Sequence, residues 1–263
     1  MALSIGLMAW QEQGTMDLSI VIPAYEEMGK IARDVRESAE FLASHGLTGQ
    51  IIVVDDGSRD GTAEVARSAL PQPPDRVSVQ VIRHAQNRGK GAAVRTGVQH
   101  ATGDFVMFAD SGSCVPYEDT LRGLELIKSG QCEIAHGSRK MVGCQIKHRQ
   151  PFHRRVCGNF FRWFVKRLMG LPMELTDTQC GFKIYRGDVA RRLYSRAVTD
   201  GSVFDIEVIM RAREAGYRIR EFPLRWACDP DSRHSIITSL WRFPRELWAI
   251  RRALRREGGA RNG

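Results

Sequence analysis

The sequence predicts an α/β protein built on a doubly wound, mostly parallel β-sheet with helices on both faces. Three observations carry this. Strand-like and helix-like patterns alternate from residue 18 onward. The stretches at 18–23 (LSIVIP) and 51–54 (IIVV) are continuous apolar, β-branched runs, as strands buried on both faces require. Acidic or glycine-rich clusters stand where strands end, at 23–27, 55–61 and 110–114. Parallel neighbours need long crossovers, which single helices supply. Such sheets bind ligands outside the carboxyl ends of their strands, so these clusters are the first candidates for a site.

The elements follow in order. After the first strand, residues 27–45 read as an amphipathic helix, with Ile31, Val35, Ala39 and Leu42 at helical spacing. The second strand closes on Asp55-Asp56-Gly57-Ser58, and a helix over 62–70 runs to a proline-rich break at 71–74. A third strand covers 77–82 and a helix 90–101; after a turn at Gly103, a strand over 105–109 ends on Asp110. A helix at 117–129 and a strand at 133–136 extend the pattern. No repeat or clear linker interrupts the chain. The simplest division is an N-terminal extension at 1–16, one domain at 17–233 and basic amphipathic helices at 234–263, expected to break at Pro244.

Composition narrows the function. The chain has 263 residues, 43% hydrophobic, with 25 Gly and 10 Pro, which excludes disordered and fibrous classes. Lys plus Arg number 39 against 30 Asp plus Glu, and the net charge of +9 implies an anionic partner. Nucleic acid, a phosphate ester and a membrane surface all qualify, but no nucleic-acid recognition motif is present. No apolar run approaches the ~18–20 residues of a spanning helix. The six cysteines include no CxxC pair, so reduced thiols in a cytoplasmic setting are expected.

Two motifs carry chemistry. Residues 55–62 (DDGSRDGT) set two acids at a strand tip before a helix start. They suit hydrogen bonds from a nucleobase edge and ribose hydroxyls, or else an Asp-Gly turn capping the helix. Asn87-Arg88-Gly89-Lys90-Gly91 opens the next helix. Glycines, cations and free amides there suit phosphate, although the Walker A spacing is absent.

The order PAYxE at 23–27, VVDDGSxDGT at 53–62, NxGKGxAVRxG at 87–97 and a strand ending in an acidic motif at Asp110 resembles inverting nucleotide-sugar glycosyltransferases of the Rossmann-like GT-A fold. Asp177-Thr178-Gln179-Cys180-Gly181-Phe182-Lys183 and Phe204-Asp205-Ile206-Glu207 make it most similar to dolichyl- or polyprenyl-phosphate glycosyltransferases, the glucosyl branch above the mannosyl. The resemblance implies that Pro23, Tyr25, Glu27 and Asp55 surround the base and ribose, with Asp56 beside them and Lys90 near the nucleotide. It also implies a DxD site at Asp110 for Mg²⁺ or Mn²⁺ against the donor diphosphate. Here the motif reads Asp110-Ser111-Gly112, so the second acid is missing, and Glu26 stands where the family usually has Asn.

The expected reaction moves a hexose, with UDP-glucose as the first choice of donor, to a polyprenyl-phosphate lipid with inversion. A phosphate acceptor has a second pKa of about 6 and needs no general base. A hydroxyl acceptor on another lipid or a saccharide would need one. Asp177, and after it Asp205, are the candidates for that catalytic carboxylate, while Asp177 also reads as a loop cap. A non-catalytic nucleotide-binding protein is the alternative of another class. Residues 146–169 and 239–256 interleave aromatics with cations. Arg149, Arg154 and Arg155 are candidates for holding acceptor or donor phosphates. Both stretches suit peripheral attachment to an anionic membrane surface at its inner face.

Overall fold

A computed structural model describes residues 17–146, 167–172, 174–227 and 236–259, the last stretch with side chains over 245–257. The N-terminal extension lies outside the described residues. Strands β1 (Leu18–Ala24), β2 (Gly49–Asp55), β3 (Val77–Arg83) and β4 (Phe105–Ala109) alternate with helices α1 (Ile31–Ser44), α2 (Thr62–Ser68) and α3 (Lys90–His100). A 3-10 turn (Tyr117–Asp119) leads into α4 (Thr120–Lys128). Then come β5 (Ile134–Ser138), β6 (Gln145–Ile146), β7 (Phe182–Arg186), α5 (Gly187–Arg196), α6 (Phe204–Glu214), β8 (Ile219–Pro223), β9 (Arg225–Trp226) and α7 (Ile236–Gly259).

The main sheet has the order β3-β2-β1-β4-β7-β5-β8, and a two-stranded ribbon joins β6 to β9. All its pairings are parallel except those of β7, which runs antiparallel to both β4 and β5. Every residue of β1 is buried, as its unbroken apolar run demands. Alternate side chains serve two layers. Leu18, Ile20 and Ile22 pack with Ile31, Val35 and Leu42 of α1 and with Leu124 of α4. Val21, Ile52 and Phe108 face α3, α5 and α6 through Val94, Val189 and Phe204. Helices therefore cover both faces.

The structure differs from the sequence reading at several places, three of them for a clear local reason. Helix α1 starts at Ile31 rather than 27, because Glu26 takes a positive φ of 54° and the Ile31 N–H closes a turn on the Glu27 carbonyl at 2.9 Å. Strand β7 went unread because Lys183 and Arg186 interrupt its apolar pattern. The C-terminal helices form one helix that runs through Pro244. An interior proline forfeits a backbone hydrogen bond, but Leu247, Ile250 and Leu254 anchor the helix against Ile206 and Ile209 of α6. Among the described residues, no helix is long and apolar enough to cross a membrane.

Candidate active site

Strands β1, β2 and β4 end side by side, with Ala24 in register with Asp55 and Val21 with Phe108. This gathers the 23–27, 55–61 and 110–114 clusters at one edge. Pro23 is buried within β1, opposite Val54, and shapes the floor. Tyr25 is 45% exposed above it. The following loop is stitched to the β2 turn: the Glu26 N–H donates to Ser58 Oγ at 2.8 Å and the Glu27 N–H to Thr62 Oγ1 at 2.9 Å. The Glu27 carboxylate lies 3.9 Å from Lys30.

The two acids of the β2 tip separate in role. The buried Asp55 carboxylate accepts the Ser58 N–H through Oδ1 at 2.9 Å. Its Oδ2 has Arg83 Nε 3.3 Å away but out of hydrogen-bond alignment, and has no hydrogen bond. A buried acceptor without a donor is costly, and a ligand N–H or O–H would satisfy it. Asp56, expected beside these residues, has its carboxylate occupied internally. It accepts His84 Nδ1–H at 2.7 Å, the Arg88 N–H at 2.9 Å and the Gly89 N–H at 2.7 Å, and so shapes the loop before α3.

That loop also shows how the glycines of 87–91 are used within the fold. The Gly89 amide is taken by Asp56, and the Ala92 N–H donates to the Asp200 carbonyl at 3.2 Å. A Cβ on Gly89 would come within 2.4 Å of the Asp200 carbonyl oxygen, and one on Gly91 within 2.7 Å of that of Thr199. The glycines therefore admit the close approach of the 199–201 loop. Lys90 alone turns to the sheet edge, its Nζ 2.5 Å from Asp110 Oδ1. Burial works to lower the Lys90 pKa, but Asp110 and Asp205 outweigh it and hold the ammonium charged.

Asp110 itself is 39% exposed along its side chain and caps β4 beside the start of β7. Its N–H donates to the Gly181 carbonyl at 2.8 Å. A Cβ on Gly181 would come within 2.1 Å of the Asp110 carboxylate, so any side chain there would push that carboxylate aside. The position of the missing second acid has φ +99°, which disfavours a side chain. Its N–H and the Ser113 hydroxyl both bond Asp34, at 2.8 and 2.6 Å. Among the described residues, no group of three His, Cys, Asp or Glu side chains could hold a metal. One hard carboxylate at a strand tip fits a cation shared with a ligand's phosphates, not a cage made of protein alone.

Beyond Asp110, which Lys90 already neutralises, two further acids are matched by cations. Asp177, fully buried, takes a fork from Arg139: Nε donates to Oδ2 at 2.6 Å and Nη2 to Oδ1 at 2.9 Å. Burial alone would lower the Arg139 pKa, yet Asp177 raises it overall. Its guanidinium also lies 5.5 Å over the Trp226 ring. Asp205 pairs with Lys183 at 2.6 Å in a nearly waterless setting. Burial pushes the Asp205 carboxyl pKa up, against the pull of Lys183 and Lys90. Both carboxylates expected to be available as a base thus sit inside ion pairs. Arg149, Arg154 and Arg155 lie outside the described residues.

Arg139 was missed by the sequence reading. Its signal was there: Arg139 directly follows a buried strand, β5, the kind of placement that singled out Asp55 and Asp110. His136 in that strand is buried with both ring nitrogens unpartnered, and burial pushes its pKa well down.

Comparison with known proteins follows the same lines. A family model described as "Glycosyl transferase family 2" matches residues 19–194, more than half of the chain. The dolichyl-phosphate beta-glucosyltransferase of Saccharomyces cerevisiae is 28% identical over 257 residues, covering 92% of this chain and 76% of that protein. The human protein of the same name is 29% identical, covering 81% and 68%. Among solved structures, glucosyl-3-phosphoglycerate synthase of Mycobacterium tuberculosis, crystallised with Mn²⁺, UDP and glucosyl-3-phosphoglycerate, superposes with a TM-score of 0.65 at 17% identity, covering 89% of this chain and 78% of that one. Mannosyl-3-phosphoglycerate synthase of Rubrobacter xylanophilus gives 0.60 at 17% identity, covering 94% and 75%. These two likenesses establish the shared α/β architecture.

Proposed function

The chain belongs to glycosyl transferase family 2 and is a glycosyltransferase, and from that premise we propose that it transfers glucose from UDP-glucose to a dolichyl- or polyprenyl-phosphate acceptor, with inversion at the sugar. The relatives named for that reaction support the donor sugar and the acceptor class. The observation that carries the reading is the pairing of Asp177 with Arg139 and of Asp205 with Lys183. A hydroxyl acceptor needs a carboxylate free to take its proton. A phosphate dianion needs none; it needs a cation and an in-line position.

The roles follow. Tyr25 and the open oxygen of Asp55 receive the base and ribose, between Pro23 and Glu27. Lys90 sits where charge develops on the departing diphosphate, and neutralises it. Asp110 would hold Mg²⁺ or Mn²⁺ together with the diphosphate oxygens; that cation would supply further charge neutralisation. Arg139, kept charged and oriented by Asp177, receives the acceptor phosphate, with Arg149, Arg154 and Arg155 as further candidates. The acceptor phosphate oxygen attacks the sugar C1 from the face opposite the diphosphate.

The chain is read as one catalytic domain at 17–233 followed by a basic C-terminal helix. Leu247, Ile250 and Leu254 of α7 are buried, so its described apolar stripe is used within the protein. Trp248 is 62% exposed beside Arg252, on the face that also carries Arg251, Arg255 and Arg256. That face suits an anionic lipid surface by charge and one aromatic.

The test is transfer from UDP-glucose to a short polyprenyl phosphate and to the matching polyprenyl alcohol, with the product's anomeric configuration read by NMR. The β-linked phosphodiester should form from the phosphate and nothing from the alcohol. Equal transfer to the alcohol, or none to the phosphate, would sink the reading.

A further inference from the structure

The Arg139–Asp177 pair is not self-supporting, because Asp177 sits on a loop rather than on a strand or helix. At Thr176 and Asp177 the loop backbone is held by one carboxylate on a neighbouring strand. Glu221 of β8 accepts the Asp177 N–H through Oε1 at 2.8 Å. Its Oε2 accepts the Thr176 N–H at 2.7 Å and the Thr176 hydroxyl at 2.9 Å. Three donors converge on two oxygens, each a charge-assisted bond.

Proton directions follow from chemistry. A carboxylate only accepts, so Thr176 spends its single hydroxyl proton on Glu221. Ser138 Oγ, 2.7 Å from Thr176 Oγ1, must then be the donor in that contact. Ser138 Oγ also accepts the Lys140 N–H at 3.2 Å. The chain of bonds thus reaches the residues on both sides of Arg139. Strand β8 is itself fixed, since His136 pairs with Glu221 and Ser138 with Pro223 in the parallel β5–β8 register.

We propose that Glu221 is a positioning residue: it anchors the 176–177 loop to β8 and thereby sets the place and direction of the Arg139 guanidinium toward the acceptor. It touches no substrate and acts through the loop, by way of Asp177 and of Thr176 with Ser138. The inference rests on the reading of Arg139 as the cation for the acceptor phosphate. The sequence alone hides it, because Glu221 and Asp177 stand 44 residues apart. Loss of this anchor should act on one substrate and spare the other, because Asp55, Lys90 and Asp110 depend on other contacts.

Glu221→Gln tests it. Glutamine is isosteric, but its NH₂ group would face an N–H donor, so at least one anchor bond turns into donor against donor. The acceptor KM should rise about tenfold or more, as expected for a displaced positioning cation. The UDP-glucose Kd by calorimetry should stay within about twofold. A ¹⁵N spectrum supplies a readout independent of the acceptor. The Arg139 Nε–H resonance, assigned by its loss in Arg139→Lys, should shift or broaden in Glu221→Gln. Should Glu221→Gln not fold, Thr176→Val removes only the hydroxyl bond and should move the same resonance and the same KM by a smaller amount.

An unchanged Nε–H resonance in a folded variant overturns the inference whatever the substrate proves to be. So does a parallel loss of kcat and donor affinity with the acceptor KM unmoved. A wild-type protein that fails to glucosylate any polyprenyl phosphate would instead sink the functional reading, and the resonance would still decide whether Glu221 orients Arg139.

Discussion

The two halves of the sheet treat their acids differently. On the side of β3, β2, β1 and β4, all strands are parallel, Asp55 keeps an oxygen without a hydrogen bond and Asp110 remains partly exposed. On the side of β7, β5 and β8, one strand is reversed, and Asp177 and Asp205 are buried and each matched by a cation. The first half leaves polar capacity open for a ligand. The second closes its acids on its own side chains and shows a cation, Arg139, to whatever arrives. A bisubstrate transfer needs both: a recess for the nucleotide and a charged stop for a second anion.

The largest effect should come from breaking the closed half at its centre. Arg139→Ala would leave the Asp177 carboxylate buried without its cation, a loss of about 3–5 kcal/mol in similar pairs. It would also remove the charge facing the acceptor, for which a fall in kcat of about 10²–10³ is typical. Steady-state kinetics and urea unfolding should show both losses, with UDP-glucose affinity little changed; an active Arg139→Ala would end the division of labour drawn above.

Breaking the open half should do less to stability and more to binding. Asp110→Ala should weaken UDP-glucose binding and its dependence on divalent cation without unfolding the sheet. Asp55→Ala should weaken nucleotide binding by about 1.5–3 kcal/mol, the cost of one hydrogen bond to a charged group. Calorimetry on both variants, with and without chelator, separates the two, because only Asp110 should couple to the metal.

His136 sharpens the comparison from beneath. Burial, and then the Lys183 charge, disfavour its protonated form, so its folded pKa lies below the usual value. The unfolded chain therefore takes up the extra proton first as pH falls. Stability contributed by the neutral ring is complete above about 6.5 and declines as pH drops through the folded pKa. Thermal midpoints should fall between about pH 7 and 5, and His136→Leu should flatten that slope; an identical slope in the variant would remove His136 from the account.

The smallest effect concerns α7. Replacing Arg251, Arg252, Arg255 and Arg256 by Ser should reduce sedimentation with anionic vesicles at low salt, each cation contributing about 1 kcal/mol. Transfer to a short, soluble acceptor should be unaffected. Equal vesicle binding by both proteins would make this face an ordinary solvated surface.

The same contrast governs what could be read in advance. In the open half each strand, turn and helix start is continuous in sequence, so Asp55 and Asp110 announced themselves at the ends of apolar runs and Lys90 in a glycine-rich helix start. The bond between Asp56 and Gly89 was hidden because it spans 33 residues. In the closed half nearly everything is long-range. Arg139 meets Asp177 across 38 residues and Lys183 meets Asp205 across 22. No local pattern shows that a carboxylate is already paired, so both looked like available bases. The reversal of β7 was equally invisible, since a five-residue strand carrying two cations gives no directional signal.

The contact between Gly181 and Asp110 bears on affinity in a further way. With the Gly181 backbone on one side and the Lys90 ammonium on another, the Asp110 carboxylate has little rotational freedom left. Ordering a side chain on binding costs about 0.5–1.5 kcal/mol. Here that ordering happens as β4 and β7 zip together, long before any donor arrives. A methyl group at residue 181 would force the carboxylate to swing aside, so the site would fail by misalignment although every ligand-binding residue was still present.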